Sequence, residues 1–127
     1  MRHEISMFVD DGGTAGTADN DRYVWTSPIK GKVVKAYVAV ETAITGNATN
    51  YATFSLEVAA TSIASEATTV ADTGNISADT AEELVLTGTG TDVEVSQGTV
   101  LEFKSAKAAS GVAHDKATCT VLIEEIR

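Results

Sequence analysis

The sequence predicts an all-β protein, a jelly-roll-like antiparallel β-sandwich of about eight strands with an N-terminal arm. Apolar and polar residues alternate with a period of two along most of the chain, and no window keeps a helical period. Threonine and valine are abundant and glycine recurs between the alternating segments. Short strands without intervening helices are typical of a sandwich or barrel, and 127 residues correspond to one domain.

The N-terminal part combines a strand with an acidic loop. Residues Glu4–Val9 are predicted as a strand with Ile5, Met7 and Val9 on one face. Small and acidic residues then predict a loop over Asp10–Asp21. We therefore treat residues 1–21 as an N-terminal strand or arm with its loop, and residues 22–127 as the sandwich, within a single domain.

Two strands with regular alternation follow a short strand that ends before the only proline. The short strand is Arg22–Thr26, and Pro28 cannot donate to a sheet. Alternation over Lys32–Thr42 places Val34, Ala36, Val38 and Val40 on one face, with Lys35 and Tyr37 on the other. Alternation over Tyr51–Ala60 directs Phe54, Leu56 and Val58 inward.

The second half of the chain has weaker patterns. Residues Thr61–Glu66 are predicted as a loop and Ala67–Asp72 as an edge strand. Residues Asp79–Glu83 are predicted as a turn. The remaining predicted strands are Glu83–Thr87, Asp92–Ser96, Val100–Ser105 and Lys116–Ile126.

The charge balance argues against a nucleic-acid partner. Eighteen acidic and nine basic residues give a formal net charge of −9, which repels phosphate backbones. The basic residues concentrate only at Lys30, Lys32 and Lys35. Strand alternation separates Lys35 from Lys32 unless a bulge intervenes, so we expect a solvated strand edge here.

Nothing in the sequence indicates membrane insertion or secretion. No apolar run approaches the roughly 20 residues that span a bilayer, and the N-terminus lacks an apolar signal segment. A single cysteine, Cys119, cannot form an internal disulfide and is predicted to be a small buried residue. We therefore expect synthesis in a cytoplasm.

The chain lacks the residue patterns of common catalytic and metal sites. His3 and His114 are the only histidines, and neither follows a nucleophile motif, so we expect no enzymatic activity. Oxygen ligands suitable for calcium occur in one loop, but their spacing is not that of an EF-hand, and we expect a solvated loop and no cofactor. These ligands are Asp10, Asp11, Asp19, Asn20 and Asp21.

Tyr23 and Trp25 share one face of a short strand. Such a pair could form a platform for stacking a sugar, which would indicate a carbohydrate-binding module. The simpler interpretation is that the two side chains belong to the core or to a subunit interface.

Several segments resemble a group of small tailed-phage virion proteins. The resemblance covers most of the chain, and the group consists of jelly-roll β-sandwiches that decorate the capsid surface or its fibres. The segments are Asp21–Ile29, Lys32–Tyr37, Gly46–Val58, Gly98–Lys104, Gly111–Ala113 and Ala117–Glu124.

The resemblance implies a structural virion protein that binds the major capsid protein lattice of an assembled phage head as a homotrimer. It implies synthesis in a bacterial host cytoplasm and a final location on the capsid surface. A receptor- or carbohydrate-binding module of a phage fibre is the alternative. The residues predicted for capsid or subunit contacts are Glu4, Ile5, Met7, Val9, Tyr23, Trp25 and Tyr37.

Overall fold

The protein is an antiparallel β-sandwich, as the sequence predicts. The computed structural model describes residues 1–10, 20–109, 111–112 and 114–126. Within them, nine strands form two sheets whose inner faces share one apolar core. The strands are β1 (Arg2–Asp10), β2 (Asn20–Thr26), β3 (Gly31–Val40), β4 (Tyr51–Val58), β5 (Thr61–Ala67), β6 (Glu82–Glu83), β7 (Glu94–Val95), β8 (Val100–Ala108) and β9 (Lys116–Glu125).

The strand order is that of a jelly roll. Sheet A has the order β1-β9-β3-β6, with the two-residue β7 also pairing with β3, and sheet B has the order β2-β8-β4-β5. The pairs β1–β9, β2–β8, β3–β6 and β4–β5 are those of one long hairpin that has been rolled up. The predicted fold class is therefore confirmed.

Strict alternation explains which face of each strand enters the core. Along β8 and β9 every second residue is buried. Ile5, Met7 and Val9 point inward from β1, and Phe54 and Leu56 do so from β4. These inward residues were predicted correctly because one face of each strand is packed and the other is not.

The prediction for residues 61–72 was wrong. Thr61–Ala67 is the strand β5 rather than a loop, and the chain beyond it turns instead of forming an edge strand. The cause is a two-residue turn at Ala59 and Ala60, whose φ angles are 49° and 68°. Both residues adopt the left-handed conformation of a tight hairpin turn, which is normally occupied by asparagine or glycine. Two alanines gave no such signal.

The face predicted for Val34, and the predicted separation of Lys32 from Lys35, need correction. The register of β3 against β9 pairs Val33 with Ile123 and Lys35 with Leu122, so a bulge occupies Val34. Val33 is buried and Val34 is half-buried. The bulge brings Lys35 to the same outer face as Lys32.

Two predicted strands are shorter than expected. After β6, Leu84 still donates to Ala36 of sheet A, but Leu86 forms a bridge with Ala64 of sheet B. The chain therefore crosses between the sheets instead of continuing as a strand to Thr87. Residues Gly90–Val93 form a 3₁₀ helix, which leaves only Glu94–Val95 of the strand predicted at Asp92–Ser96.

Candidate interaction surfaces

The strand β1 is part of the sandwich. It pairs with β9 from Arg2 to Asp10, and Met7 and Val9 are buried in the core. These two side chains cannot contact a partner while β1 is in place. The division at residues 21 and 22 therefore does not separate an arm from the domain. Deleting residues 1–9 would remove core side chains as well as any docking element.

The outer edge of β1 presents backbone hydrogen-bonding groups. Glu125 N–H donates to Met1 C=O at 2.8 Å, which makes Met1 and Glu125 a hydrogen-bonded pair. Such pairs alternate along an antiparallel ladder, so the N–H and C=O groups of alternate residues point away from β9. No other strand in the described part of the chain pairs with this edge. The residues with outward groups are Arg2, Glu4, Ser6, Phe8 and Asp10.

The predicted aromatic residues do not form one surface. Tyr23 and Trp25 lie opposite Phe103 and Leu101 on β8 and pack against the core. Tyr37 lies on the outer face of sheet A, because its neighbours Ala36 and Val38 point inward. The rings of Tyr23 and Trp25 are half-buried and do not offer an open platform for a sugar.

The outer face of sheet A combines basic residues with an aromatic ring. The Lys35 Nζ lies 5.8 Å from the centroid of the Tyr37 ring and 4.0 Å from Glu83 Oε1. A hydrogen bond with Tyr37 and the nearby Glu83 carboxylate raise the pKa of Lys35, which keeps this exposed side chain charged. Lys32 is exposed on the same face, and Glu4 lies across the sheet on β1. We call Glu4, Lys32, Lys35 and Tyr37 the sheet A patch.

An open groove lies beside the bulge in β3. Its volume is about 360 Å³, and it forms where the edge of β3 between β7 and β6 faces the segment that crosses to sheet B. The groove is lined mainly by apolar side chains, and the exposed Lys32 also lines it. The lining includes Lys32, Val33, Val34, Leu86, Gly88 and Val93.

A serine and a histidine meet inside the sandwich, a contact that the sequence did not reveal. Ser105 Oγ lies 2.9 Å from His114 Nε2, and His114 Nδ1 lies 2.6 Å from the Asp115 carbonyl oxygen. A carbonyl only accepts, so in the neutral ring Nδ1 donates and Nε2 accepts from the Ser105 hydroxyl. Both side chains have 0% exposure, and Phe54 packs edge-on against the imidazole. In this conformation the pair is a core contact that no substrate can reach.

His114 was predicted to lie in a loop, and nothing in its local sequence marks it as buried. The available signal was the alternation of β8, which places Ser105 on the inner face after Leu101 and Phe103. A buried hydroxyl at that position requires a polar partner.

Other candidate chemical groups are limited. In residues 1–10, 20–109, 111–112 and 114–126, no three His, Cys, Asp or Glu side chains are arranged to hold a metal ion. Asp11 and Asp19 of the predicted acidic loop lie outside the described residues. Burial raises the pKa of the Cys119 thiol to about 12, which keeps it protonated and unreactive. None of the helices described is long and apolar enough to cross a membrane.

Comparisons with known proteins give no family assignment. No family model matches this chain, and no curated protein matches it. One solved structure with some similarity is a chain from "Structure of infectious bursal disease virus Gt strain". The two are 12% identical with a TM-score of 0.30, and the alignment covers 98% of this chain. This chain spans 31% of the length of that chain.

Proposed function

We propose that this protein is a structural virion protein that decorates the assembled head of a tailed phage by binding the major capsid protein lattice. In this proposal the protein is made in the bacterial host cytoplasm and resides on the capsid surface. It does no chemistry and binds neither nucleic acid nor membrane.

The observation that carries this proposal is the agreement between the resemblance and the topology. Five of the six segments that resemble tailed-phage virion proteins overlap strands, namely β2, β3, β4, β8 and β9. These strands belong to a rolled hairpin, the jelly roll that the resemblance implies.

The sheet A patch is the docking face that we propose. The chain carries a net charge of −9, yet the bulge at Val34 places Lys32 and Lys35 side by side next to Tyr37. Lys32 and Lys35 favour acidic groups on the partner surface, and Glu4 in the same patch favours a basic group opposite it. A capsid repeats that surface many times, but each decorating protein must be held by its own contacts. A homotrimer, which the resemblance implies, would make three such sets of contacts at once and would bind more tightly through avidity.

The test is binding to phage heads that lack this protein. The purified protein is mixed with heads of the phage that encodes it, and bound copies are counted after sedimentation. We expect saturation at a copy number that matches the capsid lattice, in multiples of three.

Matched variants identify the docking face. Lys35→Glu with Tyr37→Ala should weaken binding at least about tenfold, because both side chains are exposed at the proposed contact. Arg22→Glu makes the same charge change on the outer face of sheet B and should leave binding unchanged. No association of the wild-type protein with heads contradicts the proposal, and glycan binding lost on Trp25→Ala would favour the receptor-binding alternative.

A further inference from the structure

We propose that His114 is an acid-sensitive switch that controls the connection between β8 and β9. While the imidazole is neutral, it stays in the core and holds the connection closed. Protonation moves the ring into solvent and opens the connection, whereas the paired strands stay in place. The described residues of this connection are 109, 111–112 and 114–115. The inference concerns the free protein in solution and does not depend on capsid binding.

Both ring nitrogens of His114 contact uncharged groups. Nδ1 lies 2.6 Å from the Asp115 carbonyl oxygen, and Nε2 lies 2.9 Å from Ser105 Oγ. The neutral ring fits this pair of contacts, because Nδ1–H donates to the carbonyl and Nε2 accepts from the hydroxyl. A proton added at Nε2 turns this acceptor into a donor. The Ser105 hydroxyl must then rotate and find another acceptor inside the core.

The position of the ring also disfavours a positive charge. His114 has 0% exposure, and Phe54 of β4 packs against it with the ring centroids 5.2 Å apart. A charged group in such an apolar site has lost its hydration. The protonated side chain therefore has a lower free energy in solvent than in the core.

Ionisable groups on the inner faces of the strands do not offset this loss. Lys107 is the next inward residue of β8 after Ser105, about 7 Å further along the strand, and a cation does not stabilise an imidazolium. On β9, Cys119 stays neutral because burial raises the pKa of its thiol to about 12. The inward residues of β3 and β4 are apolar, and so are Met7 and Val9 of β1.

The carboxylates at this end of the sandwich lie at its surface. The Asp115 carboxylate accepts from the Thr42 hydroxyl, and Glu41 Oε1 accepts from Lys116 N–H at 3.1 Å. Asp10 is exposed at the end of β1. Water screens surface carboxylates, so they compensate a buried charge only weakly.

The backbone of the connection favours opening once the ring leaves. Ala109 and Asp115, near its two ends, have φ angles of 53° and 52°. The left-handed conformation brings the Cβ atom of a residue such as alanine close to the following carbonyl oxygen. Such strain persists only where surrounding contacts maintain it. The contacts of His114 are among those that hold this connection, and the strain is relieved when they are lost.

Opening at this point leaves both sheets intact. β8 pairs with β2 and β4 in sheet B, whereas β9 pairs with β1 and β3 in sheet A. The hydrogen bonds of these four ladders do not involve the connection between β8 and β9. We therefore expect a local opening and not the unfolding of the sandwich.

The direction of the pH dependence follows from proton binding. A histidine in solvent takes up its proton at about pH 6.5. Below this pH the open form binds more protons than the closed form, so the closed form loses stability as the pH falls. The equilibrium constant for opening should rise about tenfold from pH 7.5 to pH 5.5 and change little above pH 7.5.

Hydrogen exchange measured by NMR tests the opening. Gly111 N–H donates to Ala108 C=O at 2.8 Å within the connection, so its exchange reports on the closed form. After correction for intrinsic exchange, its protection factor should fall about tenfold from pH 7.5 to pH 5.5. The amides of β4, inside sheet B, should stay more strongly protected than Gly111 at both pH values. Equal protection would show that the whole sandwich unfolds and would overturn the inference.

Matched variants identify the group that titrates. His114→Gln removes the titrating ring but keeps a side chain that donates and accepts hydrogen bonds. In this variant the protection of Gly111 should no longer depend on pH. His3→Gln is the control, because His3 contacts Glu125 at the other end of β1 and its replacement should leave the tenfold change intact. An unchanged pH dependence in His114→Gln would contradict the proposal.

The ring resonances of the wild-type protein give a test that needs no variant to fold. The His114 signal of the closed protein should keep the chemical shift of a neutral ring from pH 7.5 to pH 5.5. A signal that moves with pH would show that the ring binds a proton inside the core, which would overturn the inference. None of these measurements involves capsids, so each outcome is distinguishable from a failure of the proposed function.

Discussion

Replacing Met7 with alanine tests whether β1 is a structural strand or a docking arm. Met7 has 0% exposure and lies opposite Cys119, which is equally buried. Removing three heavy atoms from such a site costs about 2–5 kcal/mol, because the cavity collapses only partly. For a domain of this length each kcal/mol lowers Tm by about 4 °C, so we expect a decrease of about 8–20 °C.

Urea unfolding measures this change directly. The only tryptophan, Trp25, packs against the core, so its fluorescence reports unfolding of the sandwich, and far-UV circular dichroism reports the strands. Ser6→Ala is the control, since Ser6 is exposed on the same strand and its loss should cost less than about 0.5 kcal/mol. If Met7→Ala were as mild as Ser6→Ala, β1 would not be an integral strand and the account of sheet A would fail.

Three further predictions follow from local geometry. Ala60→Gly should stabilise the fold by about 1 kcal/mol in urea unfolding, because glycine adopts a φ of 68° without strain; a loss would contradict the turn assignment. Ser105→Ala should cost about 1–3 kcal/mol by removing the hydroxyl that bonds His114, whereas the exposed control Ser65→Ala should cost little. Burial raises the pKa of Cys119 to about 12, so between about pH 9 and pH 12 the thiol ionises only in the unfolded protein. The free energy of unfolding should therefore decrease as the pH rises above 9, and Cys119→Ala should make this decrease with pH smaller.

The sequence was sufficient to predict the core residues of strands that bury only one of their two faces. Met7, Phe54 and Leu56 were assigned to the core because every second residue of their strands is apolar. The same alternation placed Tyr23 and Trp25 on one face, which packs against the core. Alternation with a period of two shows which residues point into the core whenever only one face of a strand is packed.

The sequence was insufficient where the backbone departs from regular geometry. The turn at Ala59 and Ala60 has no turn residues, and the bulge at Val34 interrupts a run of apolar residues that permits either register. The proposed docking face depends on that bulge, since Lys32 and Lys35 share a face only because of it. The alternation of β8 marks Ser105 as buried, but it does not identify His114, nine residues further along, as the partner of the hydroxyl.

The pairing of β1 with β9 has a consequence for how the chain acquires its structure. His3 and Glu125, which contact each other across these strands, are 122 positions apart. Domains dominated by such distant pairings fold in milliseconds to seconds. The chain must lose the entropy of closing a long loop before the contacts between the two strands can stabilise it. At ~5–20 residues per second, synthesis leaves β1 without its neighbour for many seconds. Until Lys116–Glu125 has been synthesised, the edge of β1 that will pair with β9 is therefore open to other strands.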